Sequence, residues 1–402
     1  MQSVVGGGVM RFLYVGIDPV DFSSELFRQD VVYKVGGVRQ MGNQADYICR
    51  DGANIVSCIG NEKRQVGFLN EKDSTHNFCS YVLNFLHHED AYDFLYLKSR
   101  LLHSDLAKLA MAVKNQKFGA KVIYEPTAYP FEETYHHEMQ QKGQRRSLLA
   151  NLNLYGKLIR QRANKIGITS WADAAVSFEL PLHSIYGVPA ASVSRGTCVS
   201  KFHVRTSSES LEDPITILAV VEDPLFCGFE RLFRGLDQYC RNNTHREPIA
   251  LDVAGREEDL KPLRAETEQS GMSQCVNFIE LKNMEQLNSL CCTHTVAASS
   301  LGLYKNGTIY HSPYLTKLFC AAGIPFIYAY EDVGLGREVP FAMKLPNFDA
   351  PVNMELVSGF AWRCRFNAGL VQQERRFAEE HFDWRIIMKR ILLFTVTGKL
   401  EV

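Results

Sequence analysis

Short apolar runs alternate with amphipathic stretches along the first half of the chain. The runs that predict buried strands lie at Met10–Gly16, Ile55–Ile59, Phe94–Leu97, Lys121–Tyr124, Ile166–Thr169 and Ala190–Val193. Helical patterns lie between them, at about Asp105–Phe118 and over a long segment at about Glu132–Ile166. Short buried strands separated by helices are typical of a parallel sheet with helices on both faces.

The same alternation restarts after a polar segment, Thr206–Asp213, which ends at Pro214 and predicts a linker. The later predicted strands lie at Ile215–Val221, Pro248–Val253 and Val276–Ile279, and the predicted helices at Phe229–Tyr239 and Asp259–Ser270. This pattern predicts an α/β protein with two doubly wound halves of roughly 200 residues each. We therefore expect one domain at 1–205, a second at 214–379, and a ligand cleft between them.

Composition and charge narrow the class of protein. The chain has 402 residues, of which 46% are hydrophobic and 22% are charged, an ordinary globular balance. The 44 Lys and Arg residues against 45 Asp and Glu exclude a strongly basic nucleic-acid-binding protein. No apolar run reaches the roughly 18 residues of a membrane span, and Met1–Val9 lacks the features of a signal peptide. We therefore expect a cytoplasmic protein.

Cysteine and histidine positions argue against a metal site. The 11 cysteines include no Cys-x-x-Cys pair, which predicts reduced thiols rather than a disulfide framework or a thiolate zinc site. The adjacent pairs His87–His88 and His136–His137 would point roughly 100° apart on a helix, so they seldom share one ion. We expect neither a metal nor a cofactor.

The segment before Gly323 contains the most informative local pattern. Ser312 is a good N-cap residue and Pro313 fits the first helical position, so a helix is predicted from there to about Ala322. The chain then turns at Gly323 into a predicted strand at Pro325–Tyr328.

An anion site is expected at the start of this helix, because the first backbone amides of a helix have no partner within it. These amides belong to Tyr314, Leu315 and Thr316, and Lys317 in the first turn would add positive charge. An ordinary capped helix without a ligand is the alternative.

Other charged residues follow predicted strands, where the ligands of doubly wound domains gather. Glu331 and Asp332 follow one such strand, and Lys98 and Arg100 follow the strand at Phe94–Leu97. A solvated turn and a surface pair are the respective alternatives.

The stretch 139–164 carries basic residues and no acidic one. The basic residues are Lys142, Arg145, Arg146, Lys157, Arg160 and Arg162, with leucines interleaved between them. Such a basic amphipathic helix can bind an anionic membrane surface. A solvated helix exterior above a buried stripe is the alternative.

Several segments of the chain together resemble one family. They are Glu125–Glu132, Gly228–Leu232, Ser312–Pro313, Ala321–Asp332 and Phe341–Asn347. Their residues resemble the motifs of GT-B glycosyltransferases of the large family-4 type, and more narrowly of bacterial enzymes that assemble polysaccharides and capsules. The resemblance spans about Met10 to Leu400.

This resemblance implies two Rossmann-like domains in the GT-B arrangement, with a last helix at about 380–402 that crosses back to the first domain. It implies transfer of a hexose from a nucleotide-sugar to a glycan or lipid-linked acceptor, in a retaining reaction without a protein nucleophile. The diphosphate of the donor is expected at the helix that follows Ser312.

The resemblance also implies roles for individual residues. Donor and phosphate contacts are expected from Ser312, Leu315, Thr316, Lys317, Glu331 and Asp332. Acceptor-side contacts are expected from Gly36, Gly37, Lys98, Thr127 and Tyr129. The two glycines are expected to form a loop beneath the cleft, with a plain turn as the alternative.

Three positions depart from the family pattern. The two signature glutamates, eight positions apart, align with Tyr310 and Leu318, and a basic residue near the phosphates aligns with Cys227. Losing buried hydrogen bonds of that kind costs about 1–3 kcal/mol each. Two functions therefore remain open. One is an active transferase with an altered donor site, and the other is a non-catalytic relative that binds glycan or partners an active transferase.

Overall fold

The structure is a computed structural model that describes residues 8–20, 28–60, 62–69, 75–127, 129, 159, 161–206, 213–241, 247–269, 271, 275–336, 339–367 and 369–400. The described residues form two compact units. The first unit contains the described residues of Met1–Ser177, Pro181–Val193 and Ile387–Val402. The second unit contains the described residues of Phe178–Leu180 and Ser194–Ile386. Residues 194–205, assigned to the N-terminal domain in the sequence analysis, lie in the second unit.

Within the described ranges, the first unit is built on a nine-stranded sheet. Its strands are β1 (Arg11–Val20), β2 (Gln44–Asp51), β3 (Asn54–Ile59), β4 (Glu62–Phe68), β5 (Phe94–Ser99), β6 (Lys121–Pro126), β7 (Ala174–Ser177), β8 (Ser184–Ile185) and β9 (Val188–Ser192). Their spatial order is β4-β3-β2-β1-β5-β6-β7-β9-β8. The strands from β2 to β9 in that order are parallel, whereas β3, β4 and β8 pair antiparallel at the edges. Helices α1 (Tyr33–Gln40), α2 (Thr75–His88) and α3 (Ser104–Gln116) belong to the same unit.

Two sequence predictions for this unit need correction. The apolar run at Ile55–Ile59 is a strand, but it pairs antiparallel with β2, because only two residues separate the strands and Gly52 turns the chain at φ 57°. The run at Ile166–Thr169 is not a strand. It ends in a short helical turn at Ile168–Ser170. The backbone carbonyl of Ile168 accepts hydrogen bonds from the amides of Trp171 and Ala172, at 3.1 and 2.9 Å.

The second unit contains a parallel sheet that has, in its described part, six strands. They are β10 (Ile215–Val220), β11 (Ile249–Gly255), β12 (Val276–Glu280), β13 (Val296–Ala298), β14 (Phe326–Tyr328) and β15 (Ala342–Lys344). Their order is β12-β11-β10-β13-β14-β15, which is the doubly wound order 3-2-1-4-5-6.

Seven α-helices lie in the described part of the chain after β10. They are α4 (Glu230–Arg241), α5 (Glu257–Gln269), α6 (Met284–Thr293), α7 (Tyr314–Ala322), α8 (Met354–Arg365), α9 (Leu370–His381) and α10 (Trp384–Thr397). Those from α4 to α7 fall between strands of the second sheet. From Ile387 onward α10 belongs to the first unit. Among the described residues, no helix is both long and apolar enough to cross a membrane.

A close approach of two glycines fixes the loop that follows β10. The amides of Leu301 and Gly302, after β13, donate to the carbonyls of Cys227 and Phe226 at 2.9 Å each. Gly228 has φ +63°, and a Cβ there would lie 2.4 Å from the nitrogen of Gly302. Only glycine fits this position, so the loop is held against the carboxyl end of the neighbouring strand.

Candidate functional site

The candidate site lies in the second unit, where β10, β13 and β14 end and α7 begins. Doubly wound domains bind ligands at the carboxyl ends of their parallel strands, and at the point where the strand order reverses. In this sheet that point lies between β10 and β13, which pair with each other.

The start of α7 differs in detail from the sequence prediction. Pro313, rather than Ser312, occupies the N-cap position, with φ −67° and ψ 150°, and the helix begins at Tyr314. The Ser312 side chain is buried and does not cap the helix. Its hydroxyl oxygen instead accepts from the backbone amide of Arg195 at 3.2 Å and from the ammonium of Lys317 at 2.9 Å.

A carboxylate already occupies the helix N-terminus. The amides of Tyr314 and Leu315 donate to the two carboxylate oxygens of Glu222, at 2.9 and 3.2 Å. Glu222 follows β10 and is exposed to solvent. These amides therefore bind an anion, as expected, and in this structure the anion is the Glu222 side chain.

The Lys317 ammonium is directed into the core, which corrects its expected place in the anion site. Its side chain and that of Asp332 are fully buried and form an ion pair. The Lys317 ammonium also donates to Thr316 Oγ1 at 3.3 Å. Asp332 accepts from the Gly334 amide at 2.9 Å and from the Ser194 hydroxyl at 3.3 Å. The negative charge of Asp332 therefore balances the positive charge of Lys317, and neither side chain is exposed to solvent.

The remaining donor-side residues are divided between the core and the surface. Thr316 is fully buried, and its hydroxyl donates to the Pro313 carbonyl at 3.1 Å. Leu318, at one signature-glutamate position, is completely buried in the apolar core. Glu331 is exposed and pairs with the ammonium of Lys344. Among the expected donor-side residues, Glu331 therefore has an exposed side chain, and Tyr314 and Leu315 offer backbone amides that Glu222 occupies in this structure.

His311 is a residue of this edge that the sequence analysis did not single out. Its backbone amide donates to the Glu331 carbonyl at 2.9 Å, next to a parallel bridge between Tyr310 and Glu331. Its imidazole packs against the rings of Phe226 and Tyr330, each with a centroid separation of 5.5 Å. Burial lowers the pKa of His311 below its usual value, so the ring is neutral at pH 7.

Glu179 and Arg195 supply further charges near His311. Arg195 Nη2 donates to Glu179 Oε1 at 3.0 Å. Burial raises the pKa of Glu179, but the charge and hydrogen bond of Arg195, together with other positive groups nearby, outweigh it, so the pKa lies below its usual value. Glu179 is therefore ionised at pH 7. Both residues are distant in sequence from α7, and no local pattern marks them.

The acceptor-side residues lie in the first unit. Gly36 and Gly37 are inside α1, which contradicts the expected glycine loop, since their backbone amides are part of a continuous helix. Thr127 donates its hydroxyl to Asp18 Oδ2 at 3.0 Å, and the Tyr129 ring packs edge-on against Tyr186 at 5.1 Å.

Lys98 belongs to a partly buried ionic cluster at the carboxyl ends of β5 and β6. It pairs with Asp30, and its ammonium lies 3.5 Å from Glu125 Oε1. Glu125 Oε2 also accepts from the fully buried Lys34 ammonium at 2.6 Å and from the Tyr96 hydroxyl at 2.5 Å. Burial raises the pKa of Glu125, but the two ammonium groups outweigh it, so Glu125 stays ionised.

Two other expectations concern metal and membrane binding. Within the described ranges, no group of three His, Cys, Asp or Glu side chains is placed to hold a metal ion. The basic segment 139–164 lies almost entirely outside the described residues, so its membrane role stays a prediction.

Solved structures with a similar fold include a sucrose-phosphate synthase from Thermosynechococcus elongatus, which is 12% identical to this chain with a TM-score of 0.64 over 97% of this chain and 99% of that one. A glycosyltransferase from Rickettsia africae is 10% identical, with a TM-score of 0.59 over 97% of this chain and 100% of that one. Anabaena HepE in complex with UDP-glucose is 11% identical, with a TM-score of 0.52 over 97% of this chain and 100% of that one. No protein-family model and no curated protein matches the sequence. The chain thus has the GT-B fold, with two Rossmann-like domains.

Proposed function

We propose that the chain is a glycosyltransferase that uses a nucleotide-sugar as its donor and transfers a hexose to a glycan or lipid-linked acceptor. The GT-B fold over the whole chain supports this proposal. Similar structures include transferases, and one of them was solved with UDP-glucose.

One observation carries the proposal. The amides of Tyr314 and Leu315, at the switch-point edge of the second sheet, hold the two oxygens of a carboxylate at 2.9 and 3.2 Å. A diphosphate presents the same kind of acceptor atoms with a larger negative charge. It can replace the exposed Glu222 side chain on these amides, provided that Glu222 rotates away.

The chemistry expected at this position needs few side chains. The two amides and the α7 dipole would bind the diphosphate and stabilise the charge that develops as it leaves the sugar. We propose that the reaction retains anomeric configuration, because the departing diphosphate can assist the acceptor on the same face. On the acceptor side we propose contacts from Lys98, Thr127 and Tyr129 in the first unit.

A second candidate function is a non-catalytic GT-B protein that binds glycan or partners an active transferase. Three observations favour it: Glu222 occupies the anion site, Lys317 is neutralised by Asp332, and the core residue Leu318 replaces a signature glutamate. Glu222 and the Lys317–Asp332 pair reduce the positive charge that a nucleotide-sugar would meet at the start of α7, and Leu318 removes a polar contact.

Titration calorimetry of the purified protein with UDP, GDP, ADP and their sugars, without added metal, separates the two candidates. The transferase proposal predicts binding of one nucleotide class. It also predicts a free energy of unfolding that rises by about 2.7 kcal/mol at a hundredfold excess over the Kd. Absence of binding and of stabilisation for every nucleotide at millimolar concentration would favour the non-catalytic function.

A further inference from the structure

The His311 imidazole is packed between two aromatic rings, and its ring nitrogens are available to form hydrogen bonds. Within the described ranges, no hydrogen bond is made to either of its ring nitrogens, whereas its backbone amide is fixed by Glu331 at 2.9 Å. The rings of Phe226 and Tyr330 pack against it and restrict its rotation. A polar ring that is held in place and left without polar partners is suited to receive a ligand group.

The charges around His311 favour a neutral ring with one donor and one acceptor. Glu179 and Glu222 raise its pKa, whereas Lys317 and Arg195 lower it, and burial is the largest effect and also lowers it. The four ionic groups come from the segment after β7, from the end of β10, from α7 and from the segment before the unit's first strand. The two negative and two positive charges oppose one another, so burial decides the direction and keeps the ring neutral at pH 7. A neutral imidazole can both donate to and accept from one hydroxyl group or a vicinal pair.

The position of His311 relates it to the anion site. It lies three residues before Tyr314, whose amide holds Glu222, and Glu222 is close enough to affect the imidazole electrostatically. A diphosphate on the α7 amides would have a sugar ring on each side of it, the ribose and the transferred hexose.

We propose that His311 hydrogen-bonds a ring hydroxyl of the nucleotide-sugar, on one of the two sugar rings that flank the diphosphate. This inference rests on the proposed donor site at α7. It supplies a polar contact at an edge where Leu318 is buried in the core and offers none.

Two variants separate the hydrogen-bonding role of His311 from its packing role. His311→Phe keeps a ring between Phe226 and Tyr330 and removes both nitrogens. His311→Gln keeps one donor and one acceptor without the ring. The exposed His203→Gln, in the same unit, is the matched control. Thermal unfolding of each variant checks that it is folded.

The experiment measures the Kd of the nucleoside diphosphate and of its nucleotide-sugar for each protein by calorimetry. His311→Phe is expected to weaken nucleotide-sugar binding about tenfold, the loss of roughly one hydrogen bond. His311→Gln should restore part of that loss, and His203→Gln should bind like the wild type. Weakening of the nucleotide-sugar alone would assign the contact to the hexose, and equal weakening of both ligands would assign it to the ribose.

Two results would overturn the inference, and they are distinguishable. If the wild type binds nucleotide-sugar and His311→Phe binds it equally well, His311 makes no substrate contact, although the donor site stands. If the folded wild type binds no nucleotide at all, the proposed donor site itself is wrong, and the His311 contact is wrong with it.

Discussion

At the start of α7, the charged group that contacts the backbone amides is the carboxylate of Glu222, while the nearby Lys317 ammonium is buried. The sequence predicted the anion-binding amides and the lysine, but it did not predict the glutamate. Glu222 lies 92 and 93 positions from its partners Tyr314 and Leu315, so no local pattern connects them. The burial of Lys317 likewise depends on Asp332, which reaches it only in the folded sheet.

Glu222→Gln tests whether this carboxylate competes with a bound nucleotide. The variant removes the negative charge that a diphosphate has to displace, and it keeps a side chain of the same size. We expect the affinity for the nucleoside diphosphate to rise about fivefold, because one unfavourable charge contact near the surface is of the order of 1 kcal/mol. Calorimetric Kd values for both proteins measure this change.

Glu280→Gln is the matched control for that experiment. Glu280 is an exposed carboxylate at the end of β12 in the same sheet, where β11 separates β12 from β10. Its substitution makes the same change in net charge and should leave the affinity unchanged. A weaker affinity in Glu222→Gln would contradict competition, and would indicate that Glu222 contacts the nucleotide directly.

Glu374 should make the second unit sensitive to alkaline pH. The side chain is fully buried, and within the described ranges neither of its carboxyl oxygens has a hydrogen-bond partner. Burial raises its pKa well above the usual value, and Arg205 offsets this only in part. Above about pH 4.5 the unfolded chain ionises at this site while the folded protein remains protonated. The wild-type free energy of unfolding therefore falls as pH rises toward the folded-state pKa.

Glu374→Gln removes this titration and keeps the shape of the side chain. We expect the stability of the variant relative to the wild type to increase with pH, by at most about 1.4 kcal/mol per pH unit between pH 5 and the folded-state pKa. Denaturant unfolding at pH 5, 7 and 9 measures the difference. A difference that is constant across this range would show that Glu374 titrates normally in the folded protein.

At the scale of elements, the turn after β10 depends on the contact between Gly228 and Gly302. Gly228→Ala is expected to destabilise the protein by more than about 2 kcal/mol, because the new methyl group would overlap the Gly302 backbone at an unfavourable positive φ. Gly307→Ala is the control, since Gly307 has φ +65° and nothing within 4 Å of the added Cβ. It should lose about 1–2 kcal/mol, the backbone cost alone. Equal losses in denaturant unfolding would show that the close approach is unimportant.

The elements were more predictable from the sequence than the site. The buried parts of the parallel strands β5 and β14 are continuous apolar runs, at Phe94–Leu97 and Phe326–Tyr328. The turn at Gly323 ends α7 as predicted, with φ +73°. The sequence predictions were wrong at positions where contacts between distant residues determine the structure. Apolar periodicity cannot give the direction of β3, and a glycine pair does not distinguish the interior of α1 from a loop.

At the scale of the molecule, the fold is conserved far beyond the sequence. Solved structures of 10–12% identity share it over 97% of this chain, so very different sequences specify the same two Rossmann-like domains. The proposed function depends on a few polar groups at one edge of the second sheet, and Tyr310, Leu318 and Cys227 stand where the resemblance leads us to expect two glutamates and a basic residue. A nucleotide-sugar site at α7 would depend most directly on the backbone amides that begin this helix, so these amides are the groups to change.

The most direct test compares nucleoside diphosphate binding by Tyr314→Pro and Tyr314→Ala. Proline suits the first helical position, and the extended ψ of 150° at Pro313 tolerates it, so the substitution deletes one amide donor without interrupting α7. Alanine removes the same aromatic ring and keeps the amide. If a diphosphate binds these amides, the calorimetric Kd of Tyr314→Pro is about tenfold or more above that of Tyr314→Ala, because one charge-assisted hydrogen bond is lost. Equal Kd values in the two variants would contradict a diphosphate site at the start of α7.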